Sequence, residues 1–365
     1  MSKLSKIIIT GASGQIGFYL REFLLNNTDC LIYGISKYGD EIFPDTERIK
    51  MLYGDIRYPA SMEKCVKEIK PDYFINLAGV PKNNLCEKSP LQSFDVNANG
   101  VLNILKALYQ NSPNCRFFNA GSAYELRKND LYSTTKKCAR EIVRCYRDKG
   151  MYAIQGYLGH SESERRTNDY VVKKITFGVA QIKKALDQKK HFLPIELGNL
   201  EEKLDITHSS DIAEGIWKML NQERYNINLF EKVIAWENKK PFIPGFGQVA
   251  FYEDLRIQEA LSPNIEEYIL ASGKSHSIRE IVELALKKVG FNNYRWLKDI
   301  DPKEEGLWDE ESDNLLIEIN PKFYNPITEP IKENSNPAYE ELGWKPKISF
   351  EEIISRMVNY DLINS

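Results

Sequence analysis

Near the start of the chain an apolar β-branched run, Ile7-Ile8-Ile9, feeds Thr10-Gly11-Ala12-Ser13-Gly14-Gln15-Ile16-Gly17. Apolar side chains then recur at helical spacing at Ile16, Tyr19, Leu20, Phe23 and Leu24. A strand, a tight glycine turn and a helix are predicted in that order. Glycine lets backbone approach phosphate closely, and a helix N-terminus offers its amides to an anion, so Gly11, Ser13, Gly14, Gln15, Ile16 and Gly17 are candidates to cradle a dinucleotide pyrophosphate. The alternation continues. Strands expected at 31–35, 51–53, 73–77, 116–119 and 151–157 are separated by helical patterns at 59–69, 91–108 and 132–147. This predicts an α/β fold, a doubly wound parallel sheet with right-handed crossovers.

Beyond residue 158 the pattern loosens. Residues 171–186 and 212–220 read as helices and 268–271 as a strand. Ser277 and Glu280 have capping-box spacing at the head of a helix carrying Ile281, Leu284, Ala285 and Lys288. Periodicity fails over 221–265, which is rich in aromatics, Asn and Pro. The expected organisation is a dinucleotide-binding domain over 1–158, with return segments near 203–216 and 315–327. A smaller mixed α/β domain over 159–365 is expected to cover the sheet's C-terminal edge and to bind substrate, with an atypical insertion at 221–265.

Composition narrows the class. With 365 residues, 42% of them hydrophobic, the chain can bury a core in each of two domains. A net charge of −3 and a pI near 6.0 point to neither nucleic acid nor an anionic membrane. No apolar run approaches the roughly 18 residues of a membrane helix, and no signal-peptide pattern precedes the first strand. The six cysteines lack paired spacing and the four histidines are scattered. Neither a disulfide framework nor a metal site is expected, which fits a reduced, cytoplasmic setting.

Tyr132-Ser133-Thr134-Thr135-Lys136 puts a phenol and an ammonium one helical turn apart. The lysine favours the phenolate and so readies it as a base. Ser122, just past the strand ending at Asn119, is placed to hydrogen-bond a hydroxyl under oxidation. A Tyr and a Lys four apart are ordinarily a plain helix surface. The upstream glycine turn and the serine make catalysis the stronger reading.

At this point the chain resembles the extended short-chain dehydrogenase/reductase family, and within it the GDP-mannose 4,6-dehydratases. The resemblance rests on Thr10–Gly17, Asn76-Leu77-Ala78-Gly79, Asp95-Val96-Asn97, Ser122 and Tyr132…Lys136. The branch is carried by Met151-Tyr152-Ala153, Glu162-Ser163-Glu164-Arg165-Arg166, Val171-Val172-Lys173-Lys174-Ile175, Gly198-Asn199-Leu200-Glu201, His208…Asp211, the Ser277–Glu280 region and Leu342-Gly343-Trp344. It implies a Rossmann-type fold and a nicotinamide cofactor bound by the turn, Leu77, Ala78, Gly79, Asn97, Tyr132 and Lys136. Asp55 and Ile56 would flank the adenine. Arg165, Arg166 and Lys174 would face the substrate's diphosphate, and Gly198, Asn199 and Leu200 would border its guanine. Relatives pair through helices of the Rossmann domain, so a homo-oligomer, dimer or tetramer, is implied.

Several positions depart from that pattern. The dehydratases carry a catalytic glutamate two residues after the Ser/Thr, where this chain has Tyr124. Glu125 follows one place later and on a strand end would face the other way. Leu204 and Asn325 stand where the family has phosphate-contacting arginines, and Lys37-Tyr38 replace the arginine pair that grips a 2′-phosphate; Ser36, neither acidic nor an arginine, ends the second strand, and together these favour NAD over NADP.

Dehydration needs hydride loss from C4, removal of the C5 proton with expulsion of water from C6, and hydride return to C6. Only the second step needs the missing carboxyl group. The leading expectation is therefore a 4-dehydrogenase of a GDP-manno-configured hexose or heptose, with a 2-keto acid as second oxidant. The alternatives are a 4,6-dehydratase in which Glu125 or Tyr124 serves as acid/base, and a C4 epimerase. A silent cofactor-binding regulator is disfavoured because Tyr132 and Lys136 are intact.

Overall fold

The computed structural model describes residues 4–37, 46–81, 83–126, 129–222, 266–297, 305–324 and 335–364. The chain divides into two units, the first made of 1–158, 213–270 and 337–344 and the second of 159–212, 271–336 and 345–365.

The first unit holds a seven-stranded parallel sheet. Its strands are β1 (Lys6–Thr10), β2 (Leu31–Ser36), β3 (Ile49–Tyr53), β4 (Tyr73–Asn76), β5 (Arg116–Ala120), β6 (Ala153–Leu158) and β10 (Ile269–Leu270). They lie in the order β10-β6-β5-β4-β1-β2-β3. The order reverses between β1 and β4, which opens the crevice where doubly wound sheets bind ligands. Ile7, Ile8, Ile9, Phe74, Ile75, Phe117 and Phe118 are fully buried, as strands covered on both faces require. Four longer helices accompany these strands: α1 (Gln15–Asn27), α2 (Pro59–Ile69), α5 (Gly100–Asn111) and α6 (Leu131–Arg147). Ile104, Leu105 and Leu108 of α5 join Val66 and Ile69 of α2 over Ile8, Phe74 and Phe117 in one core.

The single helix expected over 91–108 is interrupted. A short helix α4 (Pro90–Phe94) passes into a π-helical turn, Asp95–Asn99, before α5 begins. The extra residue of a π turn re-aims side chains, and here it turns Asn97 inward, 2% exposed.

The expected return segments are corrected in part: 213–216 lies in the first unit, but 203–212 and 315–324 lie in the second. Residues 203–208 form β9 (Lys203–His208), which pairs with β7 (His160–Glu162) and β11 (Ser275–Ser277) in the second unit. Asn314–Ile319, β14, pairs with β8 (Ile195–Leu197) and with β13 (Gly306–Asp309), itself paired to β12 (Tyr294–Leu297), also in the second unit. Backbone pairing thus claims the strand portion of each segment. The chain rejoins the first unit from residue 213, within α8 (Ser209–Leu220), and again at 337–344, where the buried Trp344 lies against Tyr339.

The second unit packs α7 (Val171–Asp187), α9 (Ile278–Lys288) and α10 (Phe350–Asn364) with its two small sheets around Val172, Ile175, Val179, Ile281, Ile317 and Ile354. The capping box forms at α9: Ser277 Oγ accepts from the Glu280 amide at 3.1 Å, and the Ser277 amide donates to Glu280 Oε2 at 2.6 Å. No helix among the described residues is long and apolar enough to cross a membrane. The irregular stretch at 221–265 lies almost wholly outside the described residues, as do Tyr38 and Asn325.

Candidate active site

The glycine turn is shaped by close backbone approach. Gly11 has φ +67°, and a Cβ there would sit 2.9 Å from the Leu77 carbonyl carbon. A Cβ on Gly17 would sit 2.4 Å from the Gly11 carbonyl oxygen, so α1 packs directly onto the turn. Gly14 caps α1 without any side-chain hydrogen bond, and the first turn carries no acidic residue. Ser13 and Gly14 are exposed, Gln15 and Ile16 half-buried. A bare, positively polarised helix end beside a close-packed glycine turn fits the pyrophosphate of a dinucleotide.

The other candidate cofactor residues line the same ends of the strands. Ser36 closes β2 and its carbonyl accepts from the Gly54 amide at 3.0 Å; Lys37 next to it is exposed. Asp55 is gripped by Arg57, whose guanidinium Nε donates to its two oxygens at 3.1 and 2.9 Å. That hydrogen bonding, against the cost of burial, holds the Asp55 carboxyl below the usual carboxylate range. Sequence reasoning missed Arg57, although an arginine two residues past a strand-end aspartate was a readable sign. Ile56 is buried. After β4 the Leu77 amide donates to the Thr10 carbonyl at 3.1 Å and the Ala78 amide to Thr10 Oγ1 at 3.3 Å.

Gly79 approaches the catalytic candidates: a Cβ on it would lie 3.4 Å from Lys136 Nζ. Asn97 Oδ1 accepts from the Val80 amide at 2.7 Å, while its Nδ2 donates to Val80 O at 3.2 Å and Thr135 Oγ1 at 3.0 Å. With its amide engaged on both sides, Asn97 holds the loop after β4 against α6.

Asp130 caps α6, its Oδ1 accepting from the Ser133 amide at 2.7 Å, a signal also available in the sequence. Tyr132 and Lys136 follow one turn apart, with Lys136 Nζ 5.9 Å from the Tyr132 ring centre. Lys136 is 7% exposed and donates to the Ala120 carbonyl at 2.8 Å. Burial pushes its ammonium below the usual lysine range, and the charge of Glu125 opposes that push. Ser122 is buried, and its Oγ accepts from the Tyr124 amide at 3.3 Å.

The residues after Ser122 do not continue as a strand end. Ala123–Leu126 form a 3₁₀ turn, so strand alternation does not apply. Tyr124 is half-buried, whereas Glu125 is fully buried, both its oxygens accepting from Gln155 Nε2 at 2.8 and 2.9 Å. Burial pushes its carboxyl up to about 7.

Apart from Ser122, the candidate substrate residues lie in the second unit. Arg165 is exposed. The Arg166 guanidinium lies 3.3 Å from the Tyr170 ring centre and its Nε 3.4 Å from Glu162. Lys174, depressed by partial burial, lies 4.4 Å from the Phe323 ring. A Cβ on Gly198 would meet the Phe323 carbonyl oxygen at 2.1 Å. Asn199 is a turn residue in this structure, its Oδ1 accepting from the Glu201 amide at 3.0 Å. The Leu200 side chain is 3% exposed within the core, and its carbonyl accepts from the Arg279 amide at 3.0 Å.

A sequence profile of the NAD dependent epimerase/dehydratase family matches residues 7–228, and one of GDP-mannose 4,6 dehydratase matches 255–357. GDP-mannose 4,6 dehydratase of Drosophila melanogaster is 30% identical over 390 residues, covering 97% of this chain and 85% of that protein. GDP-mannose 4,6-dehydratase of Yersinia enterocolitica is 27% identical over 396 residues, covering 98% and 94%. Among solved structures, RMD from Pseudomonas aeruginosa complexed with NADPH superposes with a TM-score of 0.68 at 15% identity over 99% of this chain and 100% of that one. Thermus thermophilus UDP-glucose 4-epimerase with NAD gives 0.67 at 17% identity over 98% of each chain. A glycine turn on β1, a Tyr and Lys one turn apart on α6 and full-length kinship together make this chain a member of the NAD dependent epimerase/dehydratase family, the extended short-chain dehydrogenase/reductases, with a second half of the GDP-mannose 4,6-dehydratase type.

Proposed function

We propose that the protein is a nucleotide-sugar 4,6-dehydratase acting on GDP-mannose or a close relative of it. The observation that carries this reading is kinship with GDP-mannose 4,6-dehydratases along 97% of the chain, rather than in the cofactor half alone. It weighs for the complete elimination over the C4 oxidation alone that Tyr124 had suggested.

When bound, a nicotinamide dinucleotide supplies the acceptor and donor of hydride. Ser122 hydrogen-bonds the C4 oxygen, Tyr132 takes the proton of the C4 hydroxyl, and the Lys136 ammonium stabilises the phenolate. A C4 ketone acidifies the C5 proton, whose removal expels the C6 hydroxyl as water. Tyr124 occupies the position two after Ser122 and stands half-buried, and we assign this proton exchange to its hydroxyl. Arg165, Arg166 and Lys174 would hold the diphosphate, and Gly198 and Asn199 the guanine. NAD is the proposed cofactor, since Ser36 and Lys37 offer no arginine pair and Arg57 is engaged by Asp55.

A second reading is favoured by one observation: Glu125, the one carboxylate in the Ala123–Leu126 turn, is turned into the core. It is a 4-dehydrogenase that stops at the ketone, with a 2-keto acid re-oxidising the cofactor. Mass spectrometry of GDP-mannose incubated with the cofactor-loaded protein separates the two. A product lighter by one water, with no net reduced cofactor, supports the dehydratase. A product lighter by two hydrogens, with reduced cofactor in step, supports the dehydrogenase and rejects the dehydratase.

A further inference from the structure

Polar residues stand in register across the middle of the parallel sheet: Thr10 opposite Asn76, Asn76 opposite Asn119, and Asn119 opposite Gln155. All four are buried. Their side chains form one continuous row of hydrogen bonds. The Thr10 hydroxyl donates to Asn76 Oδ1 at 2.5 Å, Asn76 Nδ2 to Asn119 Oδ1 at 2.7 Å, and Asn119 Nδ2 to Gln155 Oε1 at 2.7 Å. Gln155 Nε2 then donates to both Glu125 oxygens and, at 3.2 Å, to the backbone carbonyl of Lys136. At the far end the Ala78 amide donates to Thr10 Oγ1.

The direction of this row is fixed by chemistry. The Lys136 carbonyl only accepts, so Gln155 must present its NH₂ there and its oxygen to Asn119. The same constraint passes to Asn119, to Asn76 and to the Thr10 hydroxyl. Every donor therefore points toward Glu125, and an aligned row of dipoles favours the carboxylate against the cost of burial. A sheet interior needs no such row for stability, because apolar residues of similar size serve it at least as well. What the row does reach is the residue that faces Tyr132: its last amide holds the Lys136 backbone, and its terminal carboxyl is the main charge supporting the Lys136 ammonium.

We propose that Glu125 is a positioning residue, the anionic end of the Thr10–Asn76–Asn119–Gln155 row, which keeps the Lys136 ammonium charged and seated beside Tyr132. It rests on the role given to Lys136 above and ties the cofactor turn at Thr10 to the proton-transfer helix. Other groups bear on the same pair. Arg140 on α6 favours the Glu125 anion; Glu267, which precedes β10 and accepts from the Tyr157 hydroxyl on β6, opposes it. Cys86, on the short helix α3 (Asn83–Lys88), bears on Lys136.

The test is the titration of Lys136 itself in cofactor-loaded protein carrying ¹³C-labelled lysine, with Lys136→Arg identifying its signal. In Glu125→Gln the Lys136 midpoint should fall by about 1 pH unit. In the wild type its signal should also inflect around neutral pH, as Glu125 ionises. The second measurement decides the matter if Glu125→Gln does not fold. An unchanged midpoint in folded Glu125→Gln, or a wild-type signal blind to Glu125, overturns the proposal. Loss of water elimination in Glu125→Gln with the Lys136 midpoint unmoved would put Glu125 on the sugar, overturning the positioning role and leaving the dehydratase standing. No sugar is present in the titration, so a failure of the dehydratase reading appears only in the product mass.

Discussion

Lys136 donates its ammonium to the carbonyl of Ala120 at 2.8 Å, which ties the middle of α6 to the last residue of β5. One bond thereby fixes the height of the lysine relative to the strand end from which Ser122 follows.

Replacing Lys136 with Met should reduce cofactor reduction roughly 10²-fold or more, since it removes the charge that supports the Tyr132 phenolate. Because burial lowers the lysine, activity should also fall on the alkaline side at a pH below the ordinary lysine range. A pH–rate profile of reduced-cofactor formation checks both, and retention of wild-type rate in Lys136→Met would remove the lysine from the mechanism.

Tyr132→Phe should abolish hydride transfer and leave cofactor binding intact, because the proposed cofactor contacts of the glycine turn and the loop after β4 do not need the phenol. Fluorescence titration with reduced cofactor, alongside absorbance assays of turnover, measures the two separately. Normal turnover would reject the base assignment.

Glu125 makes stability depend on pH in a definite direction. Its carboxyl is raised to about 7 in the folded protein, so between its unfolded value and about 7 the folded state holds the proton that the unfolded state has lost. Its contribution is fully present below the unfolded value and is lost as pH rises through that window, by up to about 3 kcal/mol. Urea denaturation at both ends of the window should show this slope in the wild type and a flatter one in Glu125→Gln.

Gly17→Ala should destabilise the first unit by a few kcal/mol, because its methyl would lie 2.4 Å from a backbone oxygen that cannot move without opening the turn. Thermal melts with and without cofactor should show a lower midpoint and a smaller cofactor-induced rise.

Much of this was legible in the sequence. Alternating periodicity located the strands of the parallel sheet, and the boundaries of the helix over Pro59–Ile69 were read directly, since proline at its start and apolar spacing agree. The 3₁₀ turn at Ala123–Leu126 was not legible: a four-residue turn has no period, and its direction is set by the packing of Glu125 on Gln155. The polar row was hidden for a related reason. Asn76, Asn119 and Gln155 are separate single polar residues in three strands, and only strand register brings them together. Arg57 and Asp130 were overlooked although their local patterns were available. Residues 203–208 and 314–319 went to the second unit instead because short strands do not reveal their pairing partners, whereas the expected return is met at 213–216.

The most direct test of the central claim is the product formed from GDP-mannose in D₂O, examined by mass spectrometry and proton NMR. Elimination across C5 and C6 requires a solvent proton to return to C5, so the account predicts a 4-keto-6-deoxy sugar carrying one deuterium at C5. A 4-keto product that retains its C6 hydroxyl and carries no deuterium would contradict it.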